Sequence, residues 1–437
     1  MEKLFKLRDN GTTIQREIFA GLTTFLTMSY ILTVNPAMLG SIGDGMTPAA
    51  VFTATAIASA IATLVMAFFA NLPVALAPGM GLNAFFTYTV VFGMGYSWRI
   101  ALTAVFLEGI LFLILSCFNV REALVRAIPS NLKKAIAVGI GLFIALIGLS
   151  SAGILISNYP DGTILALGNL RDTGPMLAIF GFMIITLMYV LKVPGCILIG
   201  IVVTTVIGIP MGVVDIGKDW SPFALPASPL FLQFDFSSQS ILTAKFFIVF
   251  FTFLFVDIFD TVGTLVGVTT QAKLITRDGR IPRVKQAFIS DAIGTIAGAS
   301  LGTSTVTSYI ESSSGVAVGG RTGLTSLTTG ILFILVLFLS PLFLLVPLVA
   351  TAPALIFVGF LMMQPIMTID FIDPTEGIPA FLAIIMMPFA YSIAEGIVYG
   401  ILTYVILKVA TGKFKDVSML TWVLFGVFVL RFLFKAS

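Results

Sequence analysis

Residues 246–268 read FFIVFFTFLFVDIFDTVGTLVGV. The run is apolar except near its middle, where Asp257 and Asp260 sit. As a helix rising about 1.5 Å per residue, it is long enough to cross about 30 Å of hydrocarbon. An acid at that depth costs about 3 kcal/mol or more, so it faces a protein interior or a polar cavity. A spacing of three puts both carboxylates on roughly one helical face, and Thr261, four beyond Asp257, joins it. Two readings stay open. One of the acids caps or braces a neighbouring helix, or the pair belongs to a solute or proton site.

Working outward, the 437 residues are 58% hydrophobic and 10% charged, with mean hydropathy +1.08. Soluble domains carry about 25% charge. The chain therefore reads as a polytopic membrane protein with the lipid bilayer as its surroundings. Forty phenylalanines and forty glycines suit packed membrane helices. No cleavable leader is expected, because the first twenty residues are polar and the apolar run after them is too long. Cys117 and Cys196 give neither a disulfide framework nor a metal set. Histidine is absent from the composition, so zinc chemistry and histidine relays drop out and proton traffic falls to carboxylates. No cofactor and no nucleic-acid partner are expected.

Apolar runs at 18–39, 49–70, 74–92, 100–118, 132–150, 175–191, 194–213, 246–268, 287–299, 302–320, 324–345 and 354–369, with two more inside 378–409, give fourteen segments. The fourth carries Glu108, and 214–240 is a Pro-, Ser- and Asp-rich connector. A last apolar helix at 419–434 either spans or lies flat. The third segment has Pro78, Gly79, Gly81 and Asn83 inside it and reads as a broken helix. The tenth carries Thr303, Ser304, Thr305, Thr307, Ser308 and Glu311, tolerable only if it lines a cavity or packs inward. With the N-terminus inside, 18 Lys and Arg fall on the inner side and 4 on the outer. That bias supports the segment count and a cytoplasmic N-terminus.

The two halves look alike. The interrupted segments are third in each, and seven segments is an odd number, so the second copy enters inverted. Broken segments at matching positions of an inverted repeat point to a transport site at mid-membrane. Asn83, Asp257 with Asp260, and Glu311 are the groups expected to converge there. Read as a helix, 302–320 puts Thr307, Ser308 and Glu311 on one face. A carboxylate accepts two hydrogen bonds side by side, as a purine or pyrimidine edge donates them, and Asn both gives and accepts. Phe25, Phe85, Phe86, Phe259 or Tyr309 would cover the ring. A buried acid can also take up a proton, and Asp257 or Glu311 would carry it. Asp260 would instead brace the third segment.

EIFAGLTTFLTMSYILTVNPAML at 17–39, APGMGLNAFFTYTVV at 77–91, FVDIFDTVGTLVGV at 255–268 and GTSTVTSYIESSSGVAVGGRTGL at 302–324 resemble the nucleobase–cation symporter-2 group, in its adenine/guanine/hypoxanthine permease branch. The resemblance runs from about residue 10 to about 415. It implies an all-α polytopic membrane protein of 14 transmembrane segments in a 7+7 inverted repeat, with short strands in segments 3 and 10. A core domain (14–118 and 241–345) would move against a gate domain (129–213 and 351–410), with homodimer contact through the gate. The helix at 417–437 lies beyond that scheme. Carried over, the substrate-binding residues would be Asp257 and Glu311, with Asn83, Ser308, Tyr309, Thr261 and Phe259 around them. Asp257, Asp260 and Glu311 would serve proton coupling or support. The uracil branch has a histidine four residues after the segment-8 acid; Thr261 stands there, so no histidine-assisted proton route is implied. The expected activity is secondary import of purine nucleobases at the plasma membrane by proton, rather than sodium, symport, with hypoxanthine and guanine ahead of adenine. The alternative is an anion transporter or channel of the same fold group. That rival predicts a cationic residue at the broken segments, and neither 77–91 nor 302–320 contains one. A membrane-embedded enzyme using the paired acids, or a scaffold without saturable binding, stands further off.

Overall fold

The computed structural model describes residues 2–117, 129–157, 165–217, 220–237, 241–274 and 281–435. The side chains of a few residues within these segments, Phe259 among them, lie outside the description, as do Arg121, Arg126 and Lys218. Nine helices among the described residues are long and apolar enough to cross a membrane, and three shorter apolar helices accompany them. The protein is a multi-pass membrane protein built of packed helices.

In chain order, α1 (Glu2–Phe5) precedes α2 (Ile14–Met28) and α3 (Ile31–Gly40), which form one span joined at Ser29–Tyr30. Next come α4 (Pro48–Val65), running on as a π-turn to Ala70, strand β1 (Leu76–Pro78), and α5 (Met80–Ala84), running on to Gly93. α6 (Trp98–Cys117) and α7 (Ser130–Ser151) follow, then a small ribbon of β2 (Leu155–Ile156) and β3 (Ala166–Leu167). α8 (Thr173–Val190) and α9 (Cys196–Gly208) complete the first half. The second half holds α10 (Ala244–Gln271), α11 (Val284–Leu301), β4 (Val306–Ser308), α12 (Ser312–Ala317), α13 (Gly323–Leu335) and α14 (Ser340–Leu344). α15 (Leu348–Met362), α16 (Pro374–Phe389), α17 (Ile393–Ala410) and α18 (Met419–Lys435) end the chain.

Local chemistry sets many of these starts. Thr13, Thr47, Thr243, Thr322 and Ser392 each accept a backbone N–H at a helix N-terminus. Asp373 caps α16, and the Thr375 N–H and hydroxyl, aided by Lys413, hold its carboxyl down to about 2. Buried Glu17 of α2 does the same across space. It accepts from the N–H groups of Arg321 (2.8 Å), Thr322 (3.3 Å) and Thr325 (3.1 Å) and from the Thr325 hydroxyl (2.6 Å), which fastens α2 to the start of α13. A carboxylate at a helix N-terminus is favoured by the dipole.

Two sets of helices pack chiefly among themselves. α2–α6, α10, α11 and α13 gather around β1 and β4, while α7, α8, α9, α15, α16 and α17 form the other set. Within the second set α7 and α15 approach so closely that a Cβ on Gly141 would stand 2.7 Å from the Gly359 carbonyl oxygen. Small residues permit that approach between membrane helices. α18 lies against α17.

The interrupted segments meet. β1 and β4 pair antiparallel, Leu76 opposite Ser308, Ala77 opposite Thr307 and Pro78 opposite Val306. The Gly79 N–H to Thr305 and the Tyr309 N–H to Ala75, both 3.0 Å, extend the ladder. Each outer edge is served by a threonine from the helix before it. Thr63 of α4 accepts from Leu76 N (2.9 Å) and donates to its carbonyl (3.1 Å). Thr295 of α11 does the same for Val306, at 3.3 Å and 3.0 Å.

The short strands expected in segments 3 and 10 are present: residues 74–92 form a strand and then a helix from Met80, because Pro78 and Gly79 favour an extended start. Other expectations are corrected. Residues 302–320 are not a polar helix. Thr307 and Ser308 lie in β4 and Glu311 precedes α12, so the single helical face does not exist. α11 runs from Val284, not from 287. α15 begins at Leu348, ahead of 354, and carries Pro353 inside it.

Asn35 ties the ribbon to its surroundings. Its buried amide donates to Thr55 of α4 (2.8 Å) and to Thr303, just before β4 (2.9 Å). Asn35→Ala is expected to cost about 1–3 kcal/mol, read as a lower Tm of the purified protein. An unchanged Tm would show that this tie does not stabilise the ribbon.

Candidate functional site

A cavity of about 70 Å³ opens where the ribbon ends. It exceeds several-fold the roughly 10–15 Å³ that one water needs. Its floor is the start of α5 (Gly79, Met80, Gly81) and the end of β4 with the turn after it (Thr307 to Glu311). Asp260 and Thr264 of α10 form one wall, Tyr30 another, and Val358 and Met362 of α15 close it from the second helix set.

Glu311 accepts a hydrogen bond at Oε1 from the Tyr30 hydroxyl, 2.7 Å away. Asp260 accepts at Oδ2 from the Thr307 hydroxyl at 3.3 Å. The Tyr309 hydroxyl donates to the Pro78 carbonyl at 2.5 Å, which fixes its ring against β1. Ser308 is 2% exposed, and its Oγ has no hydrogen-bond partner among the described residues. A buried hydroxyl left so costs about 1–3 kcal/mol unless something fills the site. The first N–H groups of a helix have no intrahelical partner, and α5 starts on the cavity floor. Among the described residues, neither Lys nor Arg lines the cavity. It therefore offers two carboxylate acceptors, a hydroxyl, backbone donors and apolar or aromatic walls.

The sequence-selected residues divide between this cavity and its supports. Asp260, Glu311, Ser308 and Tyr309 line it. Asp257 and Thr261 do not. They are buried toward α11, where the Thr261 hydroxyl lies 3.0 Å from both oxygens of Asp291 and 3.5 Å from Asp257 Oδ1. At about 100° per residue, a step of three leaves positions 257 and 260 about 60° apart. Position 264 lies between them in angle but only about 6 Å along the axis from 260, against about 10.5 Å from 257, so Thr264 shares the cavity with Asp260 while Asp257 meets other neighbours. Asn83 also sits behind the cavity. Its amide reaches the Pro78 carbonyl at 3.4 Å, and Ser304 donates a short hydrogen bond to its Oδ1. Phe25 packs edge-on to Phe333, and Phe85 and Phe86 pack on Phe253, so these rings fill the core.

Tyr30, Thr264, Asp291, Val358 and Met362 escaped the sequence reading. The four-residue step from Asp260 would have found Thr264, and Asp291 is an acid in an apolar stretch. Tyr30, Val358 and Met362 carry no local signal. No group of three or more His, Cys, Asp or Glu could hold a metal among the described residues.

The chain matches the permease family over residues 15–399. It belongs to that family, in the adenine/guanine/hypoxanthine permease branch. It is 48% identical to a putative permease of Methanocaldococcus jannaschii, over 100% of this chain and 99% of that one. It is 44% identical to an adenine permease of Escherichia coli (99% and 96% covered) and to a guanine/hypoxanthine permease of Bacillus subtilis (99% and 100% covered). Among solved structures, the transmembrane domain of a cyanobacterial bicarbonate transporter superposes with TM-score 0.65 at 16% identity, over 88% of this chain and 97% of that one. The murine Slc26a9 anion transporter superposes with TM-score 0.63 at 12% identity, over 91% and 69%. These two share the permease's fold.

The division of α10 into two faces is directly testable. In a background carrying Cys117→Ser and Cys196→Ser, Thr264→Cys should react with a small methanethiosulfonate reagent and Thr261→Cys should not. Equal labelling of both would mean that the cavity extends behind α10.

Proposed function

We propose that this permease imports purine nucleobases by proton symport, with hypoxanthine and guanine ahead of adenine. The observation that carries the reading is the cavity itself, where Glu311, Asp260 and a Ser308 hydroxyl without a hydrogen-bond partner among the described residues line one space beside apolar walls, with no cation among the described residues there. Relatives at 44% identity are named for adenine and for guanine/hypoxanthine alike, so identity does not rank the purines. The chemistry of Glu311 does. An acceptor-only carboxylate pairs with the N1–H of an oxopurine and the 2-amino group of guanine, and adenine has no N1–H. Ser308 and the N–H groups at the start of α5 would then face the O6 carbonyl. Asp260 would take an imidazole N–H, and Tyr309, Met80, Val358 and Met362 would cover the ring. Asp257, Thr261 and Asn83 would hold α10 and the ribbon in register behind the solute.

In this reading the N-terminus is cytoplasmic, and fourteen segments form a 7+7 inverted repeat at the plasma membrane. The helices around the ribbon act as a core domain, and the set containing α7 and α15 acts as a gate domain, through which two protomers would pair. Alternating access is elevator-like, the core carrying the cavity past Val358 and Met362. One charge moving across 100 mV supplies about 2.3 kcal/mol, enough to sustain roughly a 50-fold solute gradient. Asp260 or Glu311, both at the solute, would link proton to purine. Anion transport, the activity named for the solved structures of this fold, would place two carboxylates against an anion without a cation beside them.

Proteoliposomes should accumulate labelled hypoxanthine under an inward proton gradient, lose it with a protonophore, and keep it without sodium. Uptake of bicarbonate or sulfate with no purine competition would overturn the reading. Glu311→Gln places a donor where an acceptor stood. It should weaken guanine binding about tenfold more than adenine binding, and equal losses would undo the oxopurine argument.

A further inference from the structure

We infer that Tyr30 is the positioning residue for Glu311: its hydroxyl fixes one carboxylate oxygen, which aims the other into the cavity. The phenol oxygen stands 2.7 Å from Glu311 Oε1, within the range of charge-assisted O–H···O bonds. One turn earlier, the Thr27 hydroxyl lies 3.4 Å from the Glu311 main-chain oxygen. That hydroxyl lies closer to its own helix, 2.9 Å from the Thr24 carbonyl and 3.0 Å from the Thr23 carbonyl, so the first span holds Glu311 through the Tyr30 side chain.

The joint between α2 and α3 places Tyr30 there. The Ser29 hydroxyl donates to the Leu26 carbonyl at 3.3 Å, and the Thr33 hydroxyl donates to the Tyr30 carbonyl at 2.7 Å. The backbone of the joint is therefore satisfied without the phenol. Tyr30 is 1% exposed, so its ring would pack as well without the oxygen. What the oxygen adds is orientation. A glutamate carboxylate sits beyond several rotatable bonds, and ordering such a side chain on binding costs affinity. A donor that orders it beforehand removes that cost.

The test removes one atom. Tyr30→Phe should weaken hypoxanthine binding to the purified protein about tenfold, equivalent to ~1.4 kcal/mol. In a Glu311→Gln background the same change should alter affinity less than about twofold, because the partner is already lost. A ring that merely filled space would give equal losses in both backgrounds, and that result overturns the inference. A second measurement needs no solute. The carboxylate infrared band assigned by its disappearance in Glu311→Gln should shift in Tyr30→Phe, and an unmoved band also overturns the inference. The affinity arm rests on the purine reading of the cavity, and the infrared arm does not. A protein that binds no purine yet shows the shifted band would refute that reading and support the Tyr30 contact.

Discussion

The pairing of β1 with β4 is the constraint on which the rest of the structure depends. Extended backbone inside a membrane protein exposes N–H and C=O groups that hydrocarbon cannot satisfy. Two strands facing each other solve half of the problem, through the ladder from Ala75–Tyr309 to Gly79–Thr305. The outer edges remain, and Thr63 and Thr295 each satisfy one with a single hydroxyl that both accepts and donates. The Asn35 amide and the Ser312 hydroxyl, which accepts from Ala75 N at 3.0 Å, bind the flanks. With the ribbon closed in this way, the chain leaves it at Gly79, beside Thr305, and at Tyr309, beside Ala75, so α5 and α12 begin from opposite ends of the ribbon. The cavity is the space between those beginnings.

The two halves share this device but not its chemistry. In each, the helix before the strand lends a threonine to the strand's outer edge. The carboxylates of the cavity, Asp260 and Glu311, both come from the second half, while the first half supplies Tyr30 and the Gly79–Gly81 backbone. A ribbon whose two edges are served alike thus presents an asymmetric site, with acid acceptors on one side and a phenol and backbone groups on the other. That asymmetry suits a solute whose own edge carries donors and acceptors at different positions.

Much of this was legible in the residues. The polar interruption at 302–311 and the Pro and Gly at 78–81 announced segments that could not be plain lipid-facing helices, and that reading located the cavity. The apolar helices were separable because most helix starts carry Thr, Ser, Asp or Pro. The face of α10 was not legible, since Asp257 and Asp260 differ by only about 60° around the axis and the position of α11 decides which acid meets the cavity. The strand at 306–308 came from the family resemblance and not from the residue pattern itself, for a related reason. Residues 303–308 alternate Thr, Ser and Val without an unambiguous period, and only the partner strand fixes them as extended. Tyr30 lay beyond reach because its role depends on a contact with a residue 281 positions away.

The buried acids themselves separate structure from function. A carboxylate has about four acceptor positions. Glu17 receives four donors from the start of α13, so its capacity is met by the protein and its task is to hold two helices together. Asp260 and Glu311 each accept one hydrogen bond from another residue's side chain among the described residues, from Thr307 and Tyr30 respectively. Both line the cavity, beside a serine hydroxyl that has no hydrogen-bond partner among the described residues. Carboxylates satisfied in that way would resist a passing solute, because nothing it offered would improve on what they already hold. Carboxylates left half-satisfied reward a solute with N–H donors and no net charge, and do so only while it is bound. That difference between Glu17 and the Asp260–Glu311 pair gives the cavity a physical reason to be occupied and emptied in turn.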